Sequence, residues 1–422
     1  MTVAMNSGIR IGAALALWVL SLGMGAAQEA TLAPDGLDSV AGRIAGRNFP
    51  SIFQPWNGAE NLRAQPGGQA VPLPGIEAAA VTTARHDLYF SDWRSLGLKL
   101  RPGLQYAVLT PEFTPESIEG ARSNRAKLLA ANPQMVILAE IHYFSASKSY
   151  LPADSPWWKH DALNDRFEST NTEYRSSRLD FSIPAFQDKV AALCGALVRT
   201  GVFDGCMMDW WHDNDEMGAD RVTLIRKIRA AAGEKAILLG NVNNTLPERT
   251  ASYLNGMYME GLGSKFFPDW HTAAVNMVWG ESHLRRPAFT ALEAWWQSGR
   301  TDYAAMRATT TLALVFSNGY VLFSDPNSLP TPDHLHDWYG FWNKSLGRAA
   351  SPLANPDRPD LSGAFTRKYE RGEAVFNPPS NHAVTVSFPE PRMSAATGEM
   401  GRSFKVTAGD GDLFLTVNAT KK

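Results

Sequence analysis

Val202-Phe203-Asp204-Gly205-Cys206-Met207-Met208-Asp209 is the stretch on which the fold turns. It is short, almost wholly apolar and ends in a carboxylate, the pattern of a parallel strand buried on both faces with its last side chain at the strand's C-terminal end. Ahead of it Phe186, Val190, Leu193 and Leu197 recur at helical spacing. Behind it Val222, Ile225 and Ile228 do the same, and Gly233 is placed to end that helix. Helix, strand, helix is the unit of an α/β fold, and the alternation continues in both directions. Strands are expected over 51–56, 87–90, 135–141, 202–209, 237–241, 256–260, 288–293 and 319–324, with helices between most of them. Thr114-Pro115-Glu116 supplies an N-cap, a first-turn proline and an early acidic residue. The apolar run 104–109 is read as a decoration of the second β/α connection. Eight such strands predict a (β/α)₈ TIM barrel. A doubly wound sheet would carry a Gly-rich phosphate loop after its first strand, where this chain has Gln54-Pro55-Trp56-Asn57-Gly58.

The barrel is expected over 28–347. A helix is predicted over 333–346, followed by a proline-bearing linker at 350–362. Residues 363–422 read as a small all-β, sandwich-like accessory domain with strands at 373–377, 383–388, 402–407 and 413–417. It lacks tryptophan, so packing against the barrel is its expected role. At the other end, Arg10 closes a short n-region, an apolar run follows to Ala26, and Gly25-Ala26-Ala27 forms a cleavage site. Residues 1–27 therefore read as a signal peptide, with the mature chain starting near Gln28 and the protein secreted or periplasmic. No later run approaches the roughly 20 apolar residues of a membrane span, so no stable membrane insertion is expected after cleavage. The charge is nearly balanced, with 40 basic against 42 acidic residues, and without a basic stripe no nucleic-acid partner is expected. The two cysteines, Cys194 and Cys206, fit either one bridge or a pair of buried thiols. Oligomeric state is not legible.

In a TIM barrel the active site lies at the C-terminal ends of the strands. Here those ends read Gln54-Pro55-Trp56, Asp92-Trp93, Glu140-Ile141-His142-Tyr143, Asp209-Trp210-Trp211-His212, Asn241 with Asn243 and Asn244, Tyr258-Met259-Glu260, Glu293, and Asp325. One acid after a strand is usually a helix cap, but six around one mouth must be hydrated, paired or functional. Asp209 and Glu260, two strands apart, are the expected catalytic pair. Glycosidic cleavage needs one carboxyl to protonate the leaving oxygen and another to attack carbon or activate water. Glu140, His142, Tyr143, Trp56, Trp210, Trp211, Asn241 and Asn243 are the candidate substrate-binding residues, because indole faces suit sugar rings and amides suit hydroxyls. Apart from Trp18, every tryptophan lies between Trp56 and Trp342.

Phe53-Gln54-Pro55-Trp56, Ala139-Glu140-Ile141-His142-Tyr143, Phe203-Asp204-Gly205 with Asp209-Trp210-Trp211, and Tyr258-Met259-Glu260-Gly261 resemble the hypothetical glycoside-hydrolase-like barrel family. That family is similar, more distantly, to the endo-α-1,4-polygalactosaminidases. Lys368-Tyr369-Glu370-Arg371-Gly372 and Val375-Phe376-Asn377-Pro378 resemble the accessory β-domain often fused to such barrels. The resemblance implies catalysis by an Asp after the fourth strand and a Glu after the sixth, roles that fall on Asp209 and Glu260.

The expected activity is that of an exported glycoside hydrolase cleaving a polysaccharide without cofactor or metal. His334-Leu335-His336-Asp337 is not read as a metal site, since histidines two apart on a helix do not face together. A catalytically inactive barrel that binds polysaccharide is the alternative, and a deacetylase would want an Asp/His metal set. Three expectations follow for the geometry. Asp209 and Glu260 should open into one cleft; Trp210 or Trp211 with Trp56 or Tyr143 should border it with exposed rings. Asp213, Asp215 and Glu216 should make the mouth acidic enough to attract a cationic amino-sugar polymer.

Overall fold

The computed structural model describes residues 39–56, 62–64, 70–72, 82–170, 176–326 and 334–417. The signal-peptide segment 1–27 lies outside the described residues. Eight strands occur where the sequence places them: β1 (Phe53–Pro55), β2 (Leu88–Asp92), β3 (Val136–Glu140), β4 (Gly205–Met208), β5 (Ile237–Asn241), β6 (Gly256–Leu262), β7 (Phe289–Trp295) and β8 (Tyr320–Ser324). They form one parallel sheet in sequence order. A parallel bridge between Ile52 and Val321 brings its two edges together, with Val321 N–H donating to the Ser51 carbonyl at 2.9 Å. This is the barrel.

Around it run α1 (Val40–Gly46), α2 (Pro115–Ala131), α3 (Ala162–Thr170), α4 (Pro184–Arg199), α5 (Gly218–Ala232), α6 (Trp270–His283) and α7 (Tyr303–Phe316). Thr114 caps α2 through its hydroxyl, and Asp269 caps α6, as such residues do at helix starts. Apolar residues of α4, Phe186, Val190, Leu193 and Leu197, are buried against the sheet. Between β5 and β6 the described chain makes turns instead of a helix. The run 104–109 is turns outside the barrel, as its reading required. The long excursion after β3 is not featureless: Ser145–Ser147 pairs with Ser176–Arg178, and Glu168 at the end of α3 accepts from Ser177, Asn164 and Lys148.

The expected helix over 333–346 is corrected. From His334 to Tyr339 the chain is irregular, and only a 3₁₀ turn, Gly340–Asn343, follows. His334 has φ +60°, which no helix interior accepts, and its ring is drawn into the barrel mouth.

Beyond the barrel, β9 (Phe365–Tyr369), β10 (Gly372–Asn377), β11 (Val384–Ser394), β12 (Met400–Val406) and β13 (Asp410–Thr416) form one antiparallel sheet ordered β9-β10-β13-β11-β12. The strands form one sheet that packs on both faces: Val375, Val384, Phe388, Val406 and Phe414 make a cluster of their own, and the other face meets barrel helix α7. There Arg307 holds Asp410 with Nε and Nη2 at 2.9 and 2.7 Å, and Gly411 lies against Thr311 so closely that a Cβ there would clash at 1.9 Å. Strand β9 escaped the sequence reading because Phe-Thr-Arg-Lys-Tyr carries charge. Yet Arg367 is buried, donating to the Leu314 and Ser317 carbonyls at 2.9 and 2.6 Å.

Cys194 of α4 and Cys206 of β4 are bridged, which settles the open alternative. Replacing both by alanine is expected to remove about 2–3 kcal/mol of stability, the contribution of a cross-link closing a short loop. Calorimetry of the double variant against the parent checks this.

Candidate active site

Period-two alternation decides which strand residues reach the barrel axis. In the parallel registers Asp92 pairs with Glu140, Glu140 with Met207 and Asn241 with Tyr258. Counting by twos, Asp92, Glu140, Asp209, Asn241, Glu260 and Glu293 share the inner face at the C-terminal end. Six polar side chains thus converge where the strands' apolar interior stops.

Asp209 follows β4 and is half-buried; Glu260, in β6, is buried. Between them Asn241, the last residue of β5, donates from one Nδ2 to both, at 2.8 Å to Asp209 Oδ1 and 2.6 Å to Glu260 Oε2. The Asn243 N–H donates to Asn241 Oδ1 at 3.2 Å, which fixes the amide with its NH₂ toward the acids. The two carboxylates therefore open into one site, as expected. Burial raises the Asp209 carboxyl, while the Asn241 amide and the Trp210 backbone N–H oppose that rise. Burial pushes Glu260 up to about 8, with the charges of Glu293 and Asp209 adding to it and His334 and Asn241 opposing it.

Glu140 is buried beside them, its carboxyl raised by burial, with His142 Nδ1 at 3.5 Å and the Trp56 indole donating to it. His142 is half-buried and faces Asp209. Trp56 is half-buried, with φ +46°, and its ring lies 4.8 Å from that of His334. Trp210 is the exposed platform: 41% accessible, stacked on Phe144 at 5.4 Å, with φ +57°. Asn243, φ +49°, is half-buried and serves through its backbone.

Two expected substrate contacts are corrected. Trp211 is fully buried, its indole N–H spent on Thr250 at 2.9 Å and its ring so close to Gly240 that a Cβ there would approach within 2.9 Å. Tyr143 is also buried. Its hydroxyl donates to the Trp210 carbonyl at 2.6 Å and accepts from Arg221 Nε at 3.1 Å, so it props the platform from behind. The acidic run is corrected too. Asp213 is buried, accepting from the Thr250 N–H and hydroxyl at 2.8 and 2.6 Å. Asp215 is neutralised by Arg221 at 2.6 Å.

Reading the sequence placed Glu293 at the mouth without a role and missed His334. Glu293 is fully buried and accepts from the Tyr258 and Ser324 hydroxyls and from His334 Nδ1, the last at 2.7 Å. Burial alone would raise its carboxyl, but His334 and these hydroxyls outweigh burial and hold it below the ordinary glutamate value. The signal for Glu293 was its place at a strand end; His334 was hidden by the helix assigned to its segment. Glu260, Glu293 and His334 bring ligand atoms within 4.8 Å of one another, a spacing that an ion would also tolerate. The contacts they make here are hydrogen bonds and ion pairs within the protein.

No family model and no curated protein sequence matches the chain. Among solved structures it is similar to an α-amylase from Lactobacillus plantarum, at 12% identity over 89% of this chain and 100% of that one, with TM-score 0.54. An α-amylase from Malbranchea cinnamomea matches at 11% identity over 91% and 98% of the two chains, with TM-score 0.50. The likeness is one of fold. It spans the barrel and the C-terminal sheet together, confirming the architecture of a (β/α)₈ barrel followed by an all-β unit.

A folded-state value near 8 for Glu260, against an ordinary 4.5, makes stability depend on pH with a definite sign. Between those values the folded protein binds the proton and the unfolded chain does not, so this contribution is full below about 4.5 and is lost as pH rises through 8. Glu260→Gln removes the ionisation. Its melting temperature is expected to exceed the parent's at pH 8 and the gap to narrow at pH 5, measured by thermal melts at both.

Proposed function

We propose that the protein is an exported, retaining glycoside hydrolase that cleaves a polysaccharide, with Asp209 as nucleophile and Glu260 as acid and base. The observation that carries this is the single Asn241 amide holding both carboxylates. Two oxygens bound to one nitrogen are no farther apart than the two bonds together, about 5.4 Å, so the carboxyl groups face each other closely, as a retaining mechanism needs for direct attack on carbon. The proton assignment follows from the surroundings. Asp209 accepts from two N–H donors, which favours its anion, while burial, with the negative charge of Glu293 adding to it, lets Glu260 keep its proton near neutral pH.

In the first step the Asp209 carboxylate attacks the anomeric carbon. The glycosidic C–O bond breaks and Glu260 gives its proton to the leaving oxygen. In the second step the Glu260 carboxylate takes a proton from water, which attacks the same carbon and frees Asp209. Trp210 offers its face to a neighbouring sugar. The substrate we assign first is an amino-sugar polymer, on the family resemblance, with the run at 213–216 no longer part of its basis. Export rests on the signal-like first 27 residues and accords with the bridged cysteines.

Purified mature protein incubated with a panel of exopolysaccharides is expected to generate new reducing ends, with the anomeric configuration retained by NMR. Glu260→Gln should lower the rate by about 10²–10⁴-fold, and Asp209→Asn should abolish it. Binding of a polysaccharide with no cleavage by the parent would support the inactive-barrel reading instead. Trp210→Ala is expected to raise KM far more than it lowers kcat, because a stacking face holds ground and transition states alike.

A further inference from the structure

A helix over His334-Leu335-His336-Asp337 would turn its two histidines apart, and the structure has no helix there. His334 instead takes a left-handed conformation, φ +60°, and lies buried at the mouth with the Trp56 ring 4.8 Å away. His336 engages His86, Nε2 to Nε2 at 2.8 Å. His334 meets two glutamates. Glu293 Oε1 stands 2.7 Å from its Nδ1, and Glu260 Oε1 stands 3.8 Å from its Nε2. Glu293 is held in turn by the Ser324 hydroxyl on Oε1 and the Tyr258 hydroxyl on Oε2. Three buried side chains, from β6, β7 and the segment after β8, thus offer one ligand atom each within 4.8 Å of one another.

We propose that Glu260, Glu293 and His334 form an inhibitory site for a divalent transition-metal ion of the zinc class. The donor set selects the ion: one imidazole and two carboxylates suit zinc, whereas Ca²⁺ and Mg²⁺ take six or more oxygen ligands. Zinc bonds of about 2.0–2.2 Å let two of its ligands stand roughly 4 Å apart. Glu260 and His334 already meet that spacing, and the remaining one, at most 4.8 Å, needs only a small closure of the side chains. A metal-binding histidine commonly gives its other ring N–H to a carboxylate. Glu293 Oε1 occupies that place at Nδ1, which turns Nε2 toward Glu260, and Oε2 keeps a lone pair beside its Tyr258 bond. Charge favours the ion as well. Asp209 is tied to Glu260 through the Asn241 amide, so three carboxyl groups crowd one mouth that a dication would neutralise. When the ion binds, a metal–oxygen bond to Glu260 forms and the proton of that carboxyl leaves to water. The mouth then lacks its acid. The inhibition rests on Glu260 being the acid proposed above; the binding does not.

Purified mature protein, stripped with chelator, is titrated with Zn²⁺ by calorimetry and with Co²⁺ by visible absorption. One equivalent is expected to bind, with the intense visible bands of four-coordinate cobalt, and excess Mg²⁺ or Ca²⁺ should leave the signal unchanged. Crystals of the parent grown with Zn²⁺ should show an anomalous peak between the three side chains. His334→Gln and Glu293→Gln should each weaken binding by at least the roughly 10–100-fold that loss of an outer partner costs, while His336→Gln binds as the parent does. Where the parent cleaves a glycan, one equivalent of Zn²⁺ should abolish cleavage and chelator should restore it. No binding to the parent, a peak held by other residues, or cleavage that persists with the ion bound would overturn the proposal. Cleavage that requires the ion would overturn it too. If a variant fails to fold, the position of the anomalous peak in the parent decides alone. Binding as expected in a protein that cleaves nothing would sink the glycosidase reading and leave the metal site standing, and cleavage without any binding would do the reverse.

Discussion

One amide organises the mouth of this barrel. Asn241 offers two N–H bonds, and each ends on a carboxylate that burial would otherwise destabilise. A buried carboxylate without a donor costs several kcal/mol or takes up a proton. By sharing one donor group, the protein brings two acids close and still lets their environments differ. The arrangement needs the amide to point one way only, and a backbone N–H from Asn243, in a left-handed conformation, sees to that. The strands on either side can then stay apolar to their ends, because the polar load is carried by one layer of side chains.

Backbone strain is concentrated in that same layer. Among the described residues the non-glycine positions with positive φ are Trp56, Trp210, Asn243 and His334. Each is a position at the mouth, where His334 lies against Trp56 and Glu293 and Asn243 presents its backbone N–H to Asn241. Such conformations cost on the order of 1–3 kcal/mol apiece and persist only where surrounding contacts over-determine them. Here those contacts are visible: Tyr143 and Arg221 hold the Trp210 carbonyl, and Glu293 and Trp56 hold His334. Scaffold stability elsewhere, including the buried Asp204 clamped by Arg43 and Arg125 at the opposite end of β4, offsets this local cost.

The barrel was legible because its strands are buried on both faces and end at polar residues, a pattern that survives without any knowledge of contacts. The carboxylates at those ends were legible for the same reason, as was the amide between them. What failed was the assignment of roles to neighbours on the wrong side of a strand end. Tyr143 stands one residue from His142 and Trp211 one from the exposed Trp210, and only the turn after the strand decides whether a ring meets the cleft or the core. His334 failed differently. Its segment carries helix-compatible residues, and the tertiary pull of Glu293 overrides that local preference. Strand β9 was lost because a buried arginine reads as surface in any count of charges.

The C-terminal sheet has one face in contact with helix α7, and its Arg367 and Tyr369 donate to the Leu314 carbonyl in that helix's last turn, Arg367 also to the Ser317 carbonyl behind it. Where the chain changes composition is therefore not where its energy divides. In the descent of such proteins a unit joined this way cannot be shuffled between barrels as a bead on a string is. To travel it must take the seventh β/α repeat along, or find a host that already presents an arginine followed by threonines, as Arg307 and Thr311 stand in α7. Its inheritance is thus tied to the barrel's, and the two are expected to vary together.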